Sequence, residues 1–410
     1  MAAVGRFLAV FAVAVAIAAG TLAVGAHGSA ARAEPGVTDL RVGVHPDKIR
    51  FVLDLSERLD YFIFQLPDPY RIVVDLPQVD FALPDGGHSR RVGAITGWRY
   101  GLFEPGTSRV VIDAAAPLAV KSSFILPPSG RNRHRLVVDL VPTDREAFLT
   151  ASNESVAKRV ALRAPSIEAP AQGPASARSA DPRKVIVIDP GHGGVDPGAL
   201  GRGDYEKNIV LATARTLARR LEETGRYKVV MTRDRDVFIR LRDRIAIARR
   251  AGADLFMSLH ADSIDDKSLR GLSVYTLSET ASDDEAAALA ASENKVDIIA
   301  GIDLSDQAPE VTDILIDLAQ RRTKNLSARL AAYVVEEMGH VTPLLRRPHR
   351  FAGFAVLKAP DVPAVLVELG FLSNPIDYKN LSSAAYRDRI AEGLARSIDD
   401  YFQGIQAAFR

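Results

Sequence analysis

The spacing of hydrophobic and polar residues changes character along the chain and divides it into segments. From residue 37 to about 146, short apolar runs end in charges and in the turn formers of Pro67-Asp-Pro69, Pro84-Asp-Gly-Gly87, Glu104-Pro-Gly106 and Pro127-Pro-Ser-Gly130. Such runs predict strands joined by turns. Four of them share one pattern: Arg50-Phe-Val-Leu-Asp54-Leu, Arg71-Ile-Val-Val-Asp75-Leu, Arg109-Val-Val-Ile-Asp113-Ala and Arg135-Leu-Val-Val-Asp139-Leu. Spacings of 21, 38 and 26 residues exclude a solenoid and suggest a duplicated pair of hairpins forming small antiparallel sheets. Each Arg/Asp pair by itself reads as an exposed strand-edge ion pair worth little, with a ligand contact as the alternative.

Residues 147–183 lose that rhythm, and Ala164 to Ala177 is rich in Pro, Ala and Ser, which predicts a flexible tether. From Lys184 the pattern becomes strand, helix, strand, helix. Strands are expected at 185–189, 227–232, 254–260, 271–276 and 363–368. Val210, Ala214, Leu217 and Leu221 stripe one helix opened by Glu206. Leu241, Ile245 and Ala248 stripe a second, and Tyr386, Ile390, Leu394, Ile398 and Tyr401 a third, all at helical spacing. The alternation implies an α/β fold with a mostly parallel sheet covered on both faces. Residues 279–317 interrupt it with eleven acids and one lysine. Asp283 to Asn294 is a strong local helix former, placed between the strand ending near Thr276 and a helix starting near Arg321. An acidic helix is ordinarily a solvated face; its position beside the strand ends also suits a lid.

Composition sharpens this only in places. A chain of 410 residues exceeds one ordinary core, and a net charge of +1 points to no nucleic-acid or membrane partner. The absence of cysteine excludes disulfides and thiolate zinc sites, so any metal is held by His, Asp or Glu. Arg6, an apolar run from Phe7 to Ala26 and Ala31-Arg32-Ala33 look like a cleavable secretory signal peptide over 1–33. An uncleaved anchor is the alternative. Either places the remainder outside the cytoplasm.

Val185 to Ile188 run into Asp189-Pro-Gly-His192-Gly-Gly, a buried strand with an imidazole at its C-terminal tip, where open α/β sheets collect ligands. A second strand ends in His260 and a third in Glu368. A lone histidine is more often structural than a ligand. Two at strand C-termini, with Glu206 opening the helix after the first, suit a zinc site that keeps one position open. Glu368 follows four apolar residues and reads either as a salt-bridged carboxylate or as a general base.

Asp189-Pro-Gly-His192-Gly-Gly, Glu206-Lys-Asn208, Ser258-Leu-His260-Ala-Asp262 and Val367-Glu368-Leu-Gly-Phe-Leu-Ser-Asn374 resemble, in order, the four motif blocks of the zinc-dependent N-acetylmuramoyl-L-alanine amidases, septal type. The resemblance implies a phosphorylase/hydrolase-like catalytic domain over 184–410, His192, Glu206 and His260 on one Zn2+, and Glu368 as catalytic residue. Residues 34–146 resemble the AMIN domain, which implies targeting to peptidoglycan and the division septum; residues 147–183 would link the two. The acidic insertion, about 279–317, resembles a regulatory helix that blocks zinc with a carboxylate. Glu293 matches that position, with Glu285 as the fallback, and release by a LytM-domain activator, direct or through a relay, is implied. The expected function is hydrolysis of the bond between N-acetylmuramic acid and L-alanine in periplasmic peptidoglycan during cell separation. The alternatives are another zinc peptidase acting on stem peptides and a non-catalytic wall-binding protein.

Overall fold

The computed structural model describes residues 35–83, 91–130, 132–163, 181–300 and 314–408. The expected leader, residues 164–180 of the expected linker and residues 301–313 of the acidic insertion lie outside these residues. Among the described residues no helix is long and apolar enough to cross a membrane.

Among the described residues the N-terminal part contains nine strands: β1 (Gly36–His45), β2 (Lys48–Leu55), β3 (Phe62–Leu66), β4 (Arg71–Pro77), β5 (Asp80–Phe81), β6 (Ile95–Glu104), β7 (Thr107–Ala114), β8 (Leu118–Leu126) and β9 (His134–Pro142). They form a five-stranded sheet, β5-β1-β2-β9-β8, and a four-stranded sheet, β3-β4-β7-β6. The four Arg/Asp repeats are the central strands, two to a sheet. Strand alternation sends their second and fourth residues into one shared core: Phe51, Leu53, Ile72, Val74, Val110, Ile112, Leu136 and Val138. The arginine, the middle apolar residue and the aspartate face outward. Antiparallel register sets each arginine opposite the aspartate of its partner repeat: Arg50 with Asp139 and Asp54 with Arg135 in one sheet, Arg71 with Asp113 and Asp75 with Arg109 in the other.

The expected linker does not begin at residue 147. Residues Arg145–Arg163 form helix α1, which buries Phe148 against Tyr70 at a centroid distance of 4.9 Å. Ser152 Oγ donates to the Gln65 carbonyl of β3. Tertiary burial of Phe148, which the composition of the following Pro/Ala run obscures, secures this helix.

The C-terminal sheet contains β10 (Lys184–Pro190), β11 (Tyr227–Met231), β12 (Leu255–His260), β13 (Leu272–Leu277), β14 (Leu344–Ala352) and β15 (Ala364–Glu368), in the order β11-β10-β12-β15-β13-β14. Its pairs are parallel except β13 with β15. Helices α2 (Glu206–Glu223), α6 (Ile314–Gly339) and α8 (Ala384–Ala408) cover one face. Helices α3 (Leu241–Arg250) and α4 (Asp284–Glu293) cover the other. Two short helices, α5 (Val296–Ile299) and α7 (Pro375–Ser382), lie beside them. Strand β14 is absent from the sequence expectation. It is an edge strand carrying exposed Arg346 and Arg347 and a proline, Pro348, features that protect edges and mask strand character. Helix α6 begins seven residues earlier than expected.

Candidate metal centre

Three parallel strands bring the site together. Register places Pro190 beside Leu259 and His260 directly beside Glu368, so the two strand-end side chains are neighbours by construction. After β10 the chain turns sharply, with His192 itself at φ +58°, a conformation costly for a non-glycine residue and found where surroundings impose it. Gly191 is required here: a Cβ on it would lie 2.4 Å from the His260 ring.

Two buried arginines impose the turn. Arg244 of α3 donates to Asp189 Oδ1 at 2.8 Å, to the Pro190 carbonyl at 3.0 Å and to the His192 carbonyl at 2.8 Å. Arg233 donates to the carbonyls of Pro190, Gly191 and Lys207. Burial opposes ionisation of Asp189, but the Arg244 charge and hydrogen bonds from Thr232 and Ser258 outweigh it and hold its carboxyl below the ordinary range. Burial and the Arg244 charge pull Arg233 down to about 10, which leaves it charged at neutral pH.

The expected ligands converge. His192, Glu206 and His260 each offer an atom within 4.8 Å of the others, and all three residues are buried. Glu206 Oε2 lies 3.1 Å from His192 Nε2, and Glu206 Oε1 3.2 Å from His260 Nδ1. The carboxylate is steered by amide hydrogen bonds from Ala199 and Ala261. On the far side of its ring, His192 Nδ1 meets Asp196 Oδ2 at 2.8 Å, a carboxylate contact that orients imidazole ligands. His192 Nε2 and His260 Nδ1 are buried without a hydrogen-bond partner. Burial opposes protonation of His192, yet the carboxylates of Glu206, Asp196 and Glu293 outweigh it and push its pKa well up. The cluster is thus short of positive charge and has two orphaned nitrogens. A nitrogen/oxygen donor set of this kind fits zinc.

Glu368 is fully buried. Its Oε2 accepts from the Asp262 amide at 3.0 Å, and its Oε1 has no partner. Burial, with the charges of Glu206, Asp262 and Glu293, raises its pKa well above the carboxylate range. Burial and Glu206 likewise lift Asp262 to about 7.

The two insertion candidates part company. Glu293, the last residue of α4, is buried, with Oε2 3.2 Å from His260 Nδ1 and 3.6 Å from His192 Nε2. Glu285 sits in the first turn of α4, half-exposed, and pairs with Arg350 at 3.0 Å together with the N-cap Asp283. It anchors the helix rather than entering the cluster. A cleft of about 350 Å³ opens over the site between Asp196, Glu206, Asp262 and Glu293, and Arg99 of the N-terminal sheet lines it too. Asp196, Arg233 and Arg244 escaped the sequence reading. A carboxylate four residues after a histidine in a glycine-rich loop was the available signal for Asp196. Nothing local marks the arginines.

The family profile described as N-acetylmuramoyl-L-alanine amidase matches residues 186–400, and that described as AMIN domain matches 39–140. The chain is similar to N-acetylmuramoyl-L-alanine amidase AmiC of Neisseria meningitidis serogroup B, 37% identical over 377 residues, 90% of each chain. AmiC of Escherichia coli O6:H1 is 34% identical over 380 residues, 89% of each chain. AmiA of Escherichia coli K12 is 40% identical over 228 residues, 55% of this chain and 78% of that one.

Proposed function

Because this chain belongs to the N-acetylmuramoyl-L-alanine amidase family and carries an AMIN domain, we propose that it is a zinc-dependent, periplasmic peptidoglycan amidase that splits septal wall and is held off by Glu293. The observation that carries the zinc reading is the convergence of His192, Glu206 and His260 with two orphaned buried nitrogens. When bound, the ion supplies Lewis acidity, polarising the scissile carbonyl and lowering the pKa of water.

The chain's own residues do the rest. Asp196 fixes the His192 ring so that Nε2 faces the cluster, and the Arg244 and Arg233 hydrogen bonds hold the strained turn that presents it. Glu368 is the general base. The Asp262 amide holds its Oε2, and the unpartnered Oε1 takes the proton of the attacking water. Glu368 then delivers that proton to the departing amino group of L-alanine. Glu293, its carboxylate beside His260 and His192, would compete with water for a metal held by these residues, and an activator of LytM type that draws α4 away would restore access. Activation then needs only partner binding energy that favours the open state.

Mass spectrometry of digested sacculi tests the reaction. Intact stem peptides freed from glycan are expected; shortened peptides still on muramic acid would establish the stem-peptide hydrolase instead. In the purified protein, Glu368→Gln should retain zinc and lose hydrolysis, by about a thousandfold or more, whereas His192→Ala should lose zinc. Equal zinc loss in both would overturn the division of roles.

A further inference from the structure

The outer face of the four-stranded N-terminal sheet is not open. Val73, Val111, Phe64, Leu66 and Phe103 pack in one cluster with Val195 and Phe238 of the catalytic domain and with Val296 and Ala300 of the acidic insertion. Phe103 stacks on Phe238 at 5.8 Å and 12°. The free edge of β6 is used: Leu102 O accepts from the Phe238 amide at 3.3 Å, and Gly101 lies against Gly194, two residues beyond His192, so closely that a Cβ would fall 2.4 Å from the Gly194 carbonyl carbon.

The insertion is gripped from the same face. Arg109 is fully buried. Its guanidinium pairs with Asp75 through Nε at 2.6 Å and Nη2 at 2.9 Å, lies 3.5 Å over the Phe103 ring, and sends its remaining nitrogen, Nη1, to the Ala300 carbonyl at 2.9 Å. An arginine has to be satisfied when buried, and here one of its partners belongs to the segment that carries Glu293. Asp297 in α5 adds a link inward, accepting from the Leu241 amide at 3.1 Å, at the start of the helix whose Arg244 holds the His192 turn. A few residues ahead of these anchors in the chain, Glu293 enters the cluster.

We infer that this sheet is a docking surface for the inhibitory insertion: the N-terminal domain clamps α4 and α5 over the catalytic cleft, and displacement of the domain releases them. The inference rests on the autoinhibitory role proposed for Glu293 and adds the element that holds it in place. A ligand or partner that pulls the N-terminal domain off the catalytic domain would then activate the enzyme without touching the insertion. The domain would act as a gate as well as a tether.

Gly101→Ala tests this in the full-length, zinc-loaded chain. Gly101 sits in β6 without a positive φ, so alanine suits the strand, and the atoms nearest its methyl group belong to Gly194 and Val195 of the catalytic domain's loop. Expected are a rise of roughly tenfold in unactivated release of labelled peptides from sacculi, equivalent to about 1.4 kcal/mol of lost clamping, and faster amide exchange over 284–299. Phe103→Ala, which removes the Phe238 stack without wedging the metal loop, should act in the same direction. It carries the test if Gly101→Ala sheds zinc. Glu293→Ala should also raise activity, and adding Gly101→Ala to it should give no further rise. Active Glu293→Ala with unchanged rate and exchange in both sheet variants would overturn the clamp alone. An inactive but zinc-loaded Glu293→Ala would overturn autoinhibition, and the clamp would then stand or fall on whether exchange over 284–299 quickens.

Discussion

In the five-stranded sheet, Arg50 faces Asp139 at 2.7 Å with its side chain 34% exposed; in the four-stranded sheet, the equivalent Arg109 faces Asp75 at 2.6 Å with no exposure. The residues, the register and the outward direction are the same. What differs is the cover: solvent reaches Arg50, while Phe103, Ala300 and the catalytic loops close over Arg109. An exposed pair competes with water and contributes little. A buried one makes the removal of either member costly, because the partner is left charged and dry. The repeated pattern therefore has two faces of one chemistry, one partly open to solvent and one committed to its own catalytic domain.

The largest expected effect follows from that contrast. Arg109→Leu should cost about 3 kcal/mol in the N-terminal domain, the low end for a broken buried pair, since Arg159 still reaches Asp75 at 3.1 Å. Arg50→Leu should cost under about 1 kcal/mol. The chain's single tryptophan, Trp98, is buried in that domain against Phe51, so its fluorescence during urea denaturation reports both. Equal costs would break the comparison and mean that the four-stranded face is open in solution.

This contrast also marks the limit of what the sequence could say. The repeat was legible because strand alternation and turn residues are local. So were His192, His260 and Glu368, each at the end of an apolar run, and Glu206 at the head of a striped helix. Whether an Arg/Asp pair is an exposed edge or the centre of an interface depends on what packs above it. The expectation of an exposed edge pair fits only the partly exposed Arg50 side chain, since both of its strands are central and Asp139 is buried, and it fails for Arg109. Strand β14 was hidden by arginines that an edge position tolerates, and α1 by the Pro/Ala run that follows it. Arg244 and Arg233 act through carbonyls of a loop distant in sequence, which no spacing reveals.

A second effect concerns the open face. If the five-stranded sheet is the surface that meets the wall, Arg50→Glu in the full chain should weaken co-sedimentation with sacculi by about tenfold, near 1.4 kcal/mol. Phe103→Ala, on the covered face, should not weaken it. The reverse pattern would assign the wall to the covered sheet and make wall binding and clamping mutually exclusive.

The smallest effect is electrostatic and depends on pH. The Arg50 hydrogen bond, opposed by burial and aided by Lys48, holds Asp139 below the ordinary carboxylate range. A carboxyl whose folded pKa is depressed stabilises the fold above its unfolded value, about 4, and loses that contribution as pH falls toward the folded value. The stability difference between the parent chain and Asp139→Asn, read from Trp98, should therefore be greatest at neutral pH, remain under about 1 kcal/mol because Arg50 is a third exposed, and shrink below pH 4. A difference that holds constant or grows on acidification would show that Asp139 matters for packing rather than charge. The open face would then differ from the covered one in cover alone and not in how its ion pair contributes.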